Sequence, residues 1–142
     1  MKIITTPMIP KEPTRLEMQV LSVLWERGTA TVRDVLEALP DGKARAYTTV
    51  LTVMQVMEKK GLLTHVSQGN THVYQPTATR RQTIGPVLKS LVRQVFGGSP
   101  ATAMQHLLAE HEVSADELAR LKQLIAEHEA KGNSLRAKGK KS

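Results

Sequence analysis

Apolar residues recur at helical spacing three times in the first sixty positions, and each run is bracketed by residues that start or stop a helix. Leu16, Val20, Val23 and Leu24 form one stripe, and Met18, Leu21 and Trp25 form a second on the same segment. A helix apolar on two sides should touch two things. Thr14, with Glu17 three residues on, is a capping box that satisfies two otherwise unpaired amides reciprocally, and Gly28 ends the segment. In the next run Thr31 is the cap with Asp34 three residues on. Val32, Val35, Leu36 and Leu39 face inward, and Pro40 follows the stop. The turn DGKAR leads to a third helix over about residues 46–60, closed by Gly61. The period then changes. LLTHVSQGNTHVYQP has two β-rich arms about Gly69-Asn70, a pair suited to a tight hairpin in which glycine takes positive φ. Three short helices followed by a hairpin predict a winged helix-turn-helix domain over residues 14–78.

From Thr79 onward the pattern is helical only. Ile84, Val87, Leu88, Leu91, Val92 and Val95 make one long stripe, although Gly85-Pro86 predicts a kink or a late start. GGSP breaks the chain, with Ser99 as cap and Pro100 at the first helical position. Met104, Leu107 and Leu108 mark a short helix. SADE opens a last one carrying Leu118, Leu121, Leu124 and Ile125. Three amphipathic helices in about fifty residues have too little core of their own to hide these stripes. The expectation is a helical dimerisation domain over residues 79–130, with Leu88, Leu91, Val92, Val95, Leu107, Leu118, Leu121, Leu124 and Ile125 at its interface. Packing back onto the first helix is the alternative. Residues 1–13, with three prolines and no amphipathic pattern, read as a flexible arm. The final stretch, 131–142, has basic residues, two glycines and no acid, and reads as a disordered tail. The fold class is thus mainly α with a small β-hairpin wing.

Composition narrows the chemistry. Among 142 residues the net charge is +7, which favours a polyanionic partner without specifying a fold. The absence of cysteine removes disulfides, thiolate metal sites and cysteine nucleophiles. No apolar run approaches a membrane span and the N-terminus lacks a signal-peptide pattern, so a cytoplasmic chain without membrane insertion is expected. There is no nucleophile elbow and no phosphate-cradling glycine loop. The five histidines lack an i, i+4 ligand pair. His65 and His72 sit on opposite arms of the hairpin and could face each other, but polar wing residues near phosphate are the better reading than a metal site. No cofactor, metal or catalytic residue is expected, and an enzyme acting on nucleic acid would need a carboxylate pair or metal that is not found.

Placed on a wheel at 100° per residue, the third helix separates into two sides. Tyr47, Val50, Leu51, Met54 and Met57 form the packing side. Thr48, Thr52, Gln55 and Lys59 lie opposite, with Thr49 at the edge. The outward side is uncharged at its start and basic at its end, a composition suited to the major groove. Threonine can bond base edges or phosphates and pack its methyl on thymine, and Gln55 can pair with adenine. Arg45 could reach guanine or phosphate. Thr48 or Thr49 could also cap the helix. The wing tip, with Gln68, Asn70, Thr71 and His72, would lie on the backbone, and Arg33 would anchor the other flank; Tyr47 and Lys59 add phosphate contacts.

These residues have a family likeness. TRLEMQVLSVLWERGTATVRDVLEALP, RAYTTVLTVMQVMEKKGLLTHVSQGNTHVYQP and FGGSPATAMQHLLAEHEVSADELARLKQLI resemble the penicillinase-repressor family (BlaI/MecI/CopY type) over about residues 14–128. The resemblance implies a winged-helix domain joined to a helical dimerisation domain, and repression by a homodimer on an inverted-repeat operator in double-stranded DNA. It makes the membrane sensor-protease of β-lactam-responsive members a candidate further partner. The sequence departs from the family at several points. No cysteine is present for the copper hook of CopY-like members. His106-Leu107 stands where the best-known members are cleaved at Asn-Phe, and Val56 stands where many relatives have arginine. Without the resemblance, the alternative is a winged-helix protein-interaction module with only non-specific DNA affinity.

Overall fold

Threonine capping sets the frame of the first unit. The computed structural model describes residues 12–140, with side chains through residue 133. Helix α1, Arg15–Arg27, starts on the Thr14/Glu17 capping box and ends at Gly28, whose φ of 86° suits glycine. Helix α2, Val32–Ala38, starts on the Thr31/Asp34 box. Helix α3, Tyr47–Lys59, begins differently: Ala46 is the N-cap and no side chain caps it. Thr48 and Thr49 are therefore inside the first turn rather than caps. At its other end, Leu62 N–H donates to the Met57 carbonyl and Gly61 N–H to that of Glu58. With Gly61 at φ 85°, this is the Schellman geometry that turns the chain into the wing.

Strands β1, Leu63–Gln68, and β2, Thr71–Pro76, pair antiparallel with Gln68 opposite Thr71. Gly69 has φ 63° while Asn70 stays at negative φ, so the two-residue loop is a type II′ turn. Ala30 adds a rung that the sequence pattern did not announce. Its N–H donates to the Tyr74 carbonyl at 3.0 Å, and Tyr74 N–H returns to the Ala30 carbonyl at 2.8 Å. The core gathers Val20, Leu21, Leu24, Val35, Val50, Met54, Met57, Leu63 and Tyr74, all essentially inaccessible. Together these elements form a winged helix.

Helix α4, Arg80–Val95, is continuous through Pro86 and starts well before it, correcting the late start read from Gly85-Pro86. The cause is a capping box at Thr79 and Gln82: Gln82 N–H donates to the Thr79 hydroxyl at 3.1 Å and Thr79 N–H to Gln82 Oε1 at 2.9 Å. Trp25 Nε1 donates to the Ala78 carbonyl at 2.9 Å, and Arg80 lies over the Trp25 ring while pairing with Glu26 at 3.0 Å. These ties hold the start of α4 to the winged helix. The chain divides into two compact units at Leu91 and Val92, inside α4, rather than at the expected boundary of 78 and 79.

In the second unit, α5, Pro100–Glu110, starts on Ser99, whose hydroxyl accepts from Thr102 N–H at 3.2 Å. Helix α6, Ala115–Lys140, follows Ser114, whose hydroxyl accepts from Glu117 N–H at 3.1 Å. The helix carries residues 131–140, so the expectation of a disordered tail from 131 is corrected over that stretch. Extending an existing helix costs far less than nucleating one. The last two residues, and nearly all of the expected N-terminal arm, lie outside the described residues.

Candidate nucleic-acid interface

Helix α3 has one side sealed by the core and one side open. Val50, Met54 and Met57 are fully buried and Leu51 half-buried, whereas Thr48, Thr49, Thr52, Gln55 and Lys59 are all exposed. The wheel therefore describes the helix well after its first turn. Tyr47 departs from it: the residue is 41% exposed. As the first helical residue it has no preceding turn to cover it. Its face instead receives the Arg33 guanidinium at 5.5 Å from the ring centroid, a cation–π arrangement that brings α2 and α3 together at the surface. Val56 is exposed beside the open row and adds an apolar contact surface where the sequence offered no charge.

Arg45 is placed apart from this row. Its guanidinium donates to both oxygens of Asp41, at 2.9 and 2.7 Å, in the bidentate geometry that suits arginine and carboxylate. Lys43 N–H and the Gln19 amide also donate to the same carboxylate, at 3.0 and 3.1 Å, and Asp41 N–H donates back to Gln19 Oε1 at 3.2 Å. The Arg45 guanidinium first, and the Lys43 amide next, hold the Asp41 carboxyl well below the usual carboxylate range. Arg45 thus braces the turn between α2 and α3, and Asp41 ties that turn to Gln19 of α1. The position of Arg45 just before α3 leads one to expect a DNA contact from this residue. In the free chain its guanidinium is paired with Asp41 at 2.7 Å.

The wing brings its polar residues to one end. Gln68, Asn70, Thr71 and His72 are exposed about the turn. His65 and His72, two residues out of direct register, do meet: their rings stack at 4.2 Å with an interplanar angle of 17°. Both Glu58 carboxylate oxygens lie 2.8 Å from His65 Nδ1, linking α3 to the wing. Face-to-face stacking is not how two imidazoles share a metal, and no cluster of three metal-ligating groups occurs among the described residues. Burial first, and the charge of Glu58 next, raise the Tyr74 hydroxyl above the usual phenol range, so this core tyrosine stays neutral.

The exposed apolar residues are concentrated elsewhere. Leu88 and Leu91 are open on α4 within the first unit. In the second unit Val95, Leu107, Leu118, Leu124 and Ile125 are open, while Val92 and Leu121 are half-covered. Every residue expected at the dimer interface is thus at least partly accessible in the single chain.

Comparison with known proteins gives a concordant picture. The family model described as penicillinase repressor matches residues 13–127. A transcriptional regulator BlaI from Mycobacterium tuberculosis is 37% identical over 117 residues, covering 81% of this chain and 83% of the relative. A penicillinase repressor from Bacillus licheniformis is 24% identical over 112 residues, covering 79% and 88%. Among solved structures, the solution structure of the DNA-binding domain of the repressor BlaI is 26% identical and covers 49% of this chain and 88% of that one, with a TM-score of 0.44.

Proposed function

The chain belongs to the penicillinase repressor family, a family of DNA-binding transcriptional repressors, and from that premise we propose that it acts as a homodimer on an inverted-repeat operator. The observation that supports this reading most is the open side of α3. Three threonines and Gln55 stand exposed on a helix whose other side is locked into the core. No carboxylate occupies that side before Glu58, which is engaged by His65. Such a row can read base edges in the major groove, while the wing and Lys59 take the phosphates. An isologous pairing of two chains would cover the apolar residues of the helical part and space two reading helices along the duplex.

Fluorescence anisotropy over a salt series, comparing the chain's own upstream intergenic DNA with a scrambled control, tests the reading. A protein-interaction module would bind both weakly and alike. Thr52→Ala is expected to cost about 1–2 kcal/mol at one base pair and to relax discrimination there. If that variant binds operator and scrambled DNA as the parent does, the row on α3 is not the reading surface. Lys59→Ala should weaken all sequences together and lower the salt slope by about one. An unchanged slope would take Lys59 out of the phosphate contacts.

A further inference from the structure

The wing and the two neighbouring helices enclose a cleft of about 430 Å³, lined by Thr31, Arg33, Tyr47, Asn70, Thr71 and His72 together with apolar side chains. Its polar lining is all hydroxyl, amide, guanidinium and imidazole; no acid is among the lining residues. The cation at its edge is held in place, since Arg33 rests on the Tyr47 ring. The two acids nearest by sequence and contact are turned to other partners. Asp34 accepts from Thr31 N–H at 3.1 Å within its capping box and stands 4.0 Å from Arg27, and Glu58 is bonded to His65. His72 is exposed on the cleft side and stacked against His65 on the other. Tyr74, buried and tilted against His65 and edge-on to His72, completes the lining.

We propose that this cleft seats one phosphodiester of the DNA backbone and that His72 is its proton-linked donor, so that a proton is taken up as the phosphate enters. The proposal rests on the DNA-binding reading above and adds to it a pH dependence assigned to one residue. Glu58 is already matched by His65, which leaves His72 without an acidic partner of its own among the described residues. A phosphodiester seated in the cleft favours a charged donor, because a cation facing it gains both a charge-assisted hydrogen bond and Coulomb attraction. Imidazole is the side chain whose charge changes between pH 5 and 8. Affinity for DNA should therefore rise as pH falls through that range. Phosphodiesters stay singly charged throughout, so the ligand itself contributes no titration.

The test measures operator affinity by anisotropy at constant ionic strength at pH 6, 7 and 8 for the parent chain, His72→Gln and His65→Gln. The parent is expected to bind roughly tenfold more tightly at pH 6 than at pH 8, the linkage expected of about half a proton per unit across the range. His72→Gln should lose most of that dependence while still preferring operator to scrambled DNA. His65→Gln should keep a clear dependence. A flat profile in the parent, or an undiminished slope in His72→Gln, overturns the proposal without touching base recognition by α3. Loss of operator preference in the parent would instead overturn the DNA reading itself. Replacing single phosphates by neutral methylphosphonates should identify one linkage per half-site whose removal abolishes the slope. Inorganic phosphate alone provides the last arm. If it saturably shifts the His72 ring resonances while the DNA slope is unaffected by His72→Gln, the cleft serves a free oxyanion and the backbone assignment falls.

Discussion

Chains carrying Leu91→Asp and Leu124→Asp together are expected to stay folded, to sediment as monomers, and to lose on the order of a hundredfold in affinity for a full operator. The structure supplies the reason to expect folding: these leucines are 45% and 49% exposed in the single chain. A carboxylate there meets water and removes no core packing. In a two-fold dimer each substitution occurs twice, and each would bury a charge among apolar neighbours, at a cost of roughly 3 kcal/mol or more. About 1.4 kcal/mol corresponds to tenfold, so this suffices to dissociate the dimer at working concentrations. The operator effect follows from tethering. Once one subunit is bound, the second sees its half-site at an effective concentration near millimolar, and that advantage vanishes for a monomer. Binding to an isolated half-site should be nearly unchanged. Sedimentation showing a stable dimer in the double variant would reject these faces as the interface. A full-site loss matched by an equal half-site loss would place the damage in the winged helix.

What the sequence made legible was local. A threonine with an acid three residues on specifies two amides and a start point, and both such boxes stand where they were expected, at Thr14/Glu17 and Thr31/Asp34. The Gly69-Asn70 turn and the glycine after α3 were equally readable, because each is a backbone requirement met by the residue itself. The box at Thr79 and Gln82 was overlooked because Gly85-Pro86 nearby is a strong breaker. The Arg45–Asp41 pair was missed for a different reason. Its geometry depends on Gln19, twenty-two positions before Asp41, which fixes the carboxylate from another helix. No periodicity within the segment carries that information. The Ala30 rung on β2 is hidden likewise, since a single residue bridging to Tyr74 leaves no alternating pattern. The side of α3 that meets solvent was deducible from spacing alone after its first turn, and Tyr47 fails only because a helix begins there.

Glu17 offers the largest expected effect on stability and separates folding from recognition. It is nearly inaccessible, yet it is a carboxylate. Thr14 N–H donates to Oε1 at 2.9 Å and Lys60 Nζ to Oε2 at 2.8 Å, so one side chain closes the start of α1 and ties it to the residue after α3. Burial by itself pushes its carboxyl up, but the Lys60 ammonium and the Thr14 amide outweigh that and hold it below its ordinary value. A folded-state value below the unfolded one means the group stabilises the fold above the usual carboxylate range. That contribution is lost as pH falls through the lowered value. Glu17→Ala should destabilise the winged helix by about 2–3 kcal/mol, because it strands a cap amide and leaves Lys60 unpaired. The figure stays at the lower end for a broken pair since the Lys60 side chain is 44% exposed and its ammonium can recover water. Glu17→Gln keeps the shape and one acceptor, so it should cost less and flatten the acid limb of the stability profile. Urea melts at pH 7 and pH 4 check both points: a Glu17→Ala midpoint equal to the parent's, or a Glu17→Gln acid limb as steep as the parent's, would show that the pair contributes nothing. The folded fraction of Glu17→Ala should still discriminate operator from scrambled DNA, whereas Thr52→Ala should keep the parent's midpoint and lose discrimination, so the two variants pull apart the helix that is held from the surface that reads.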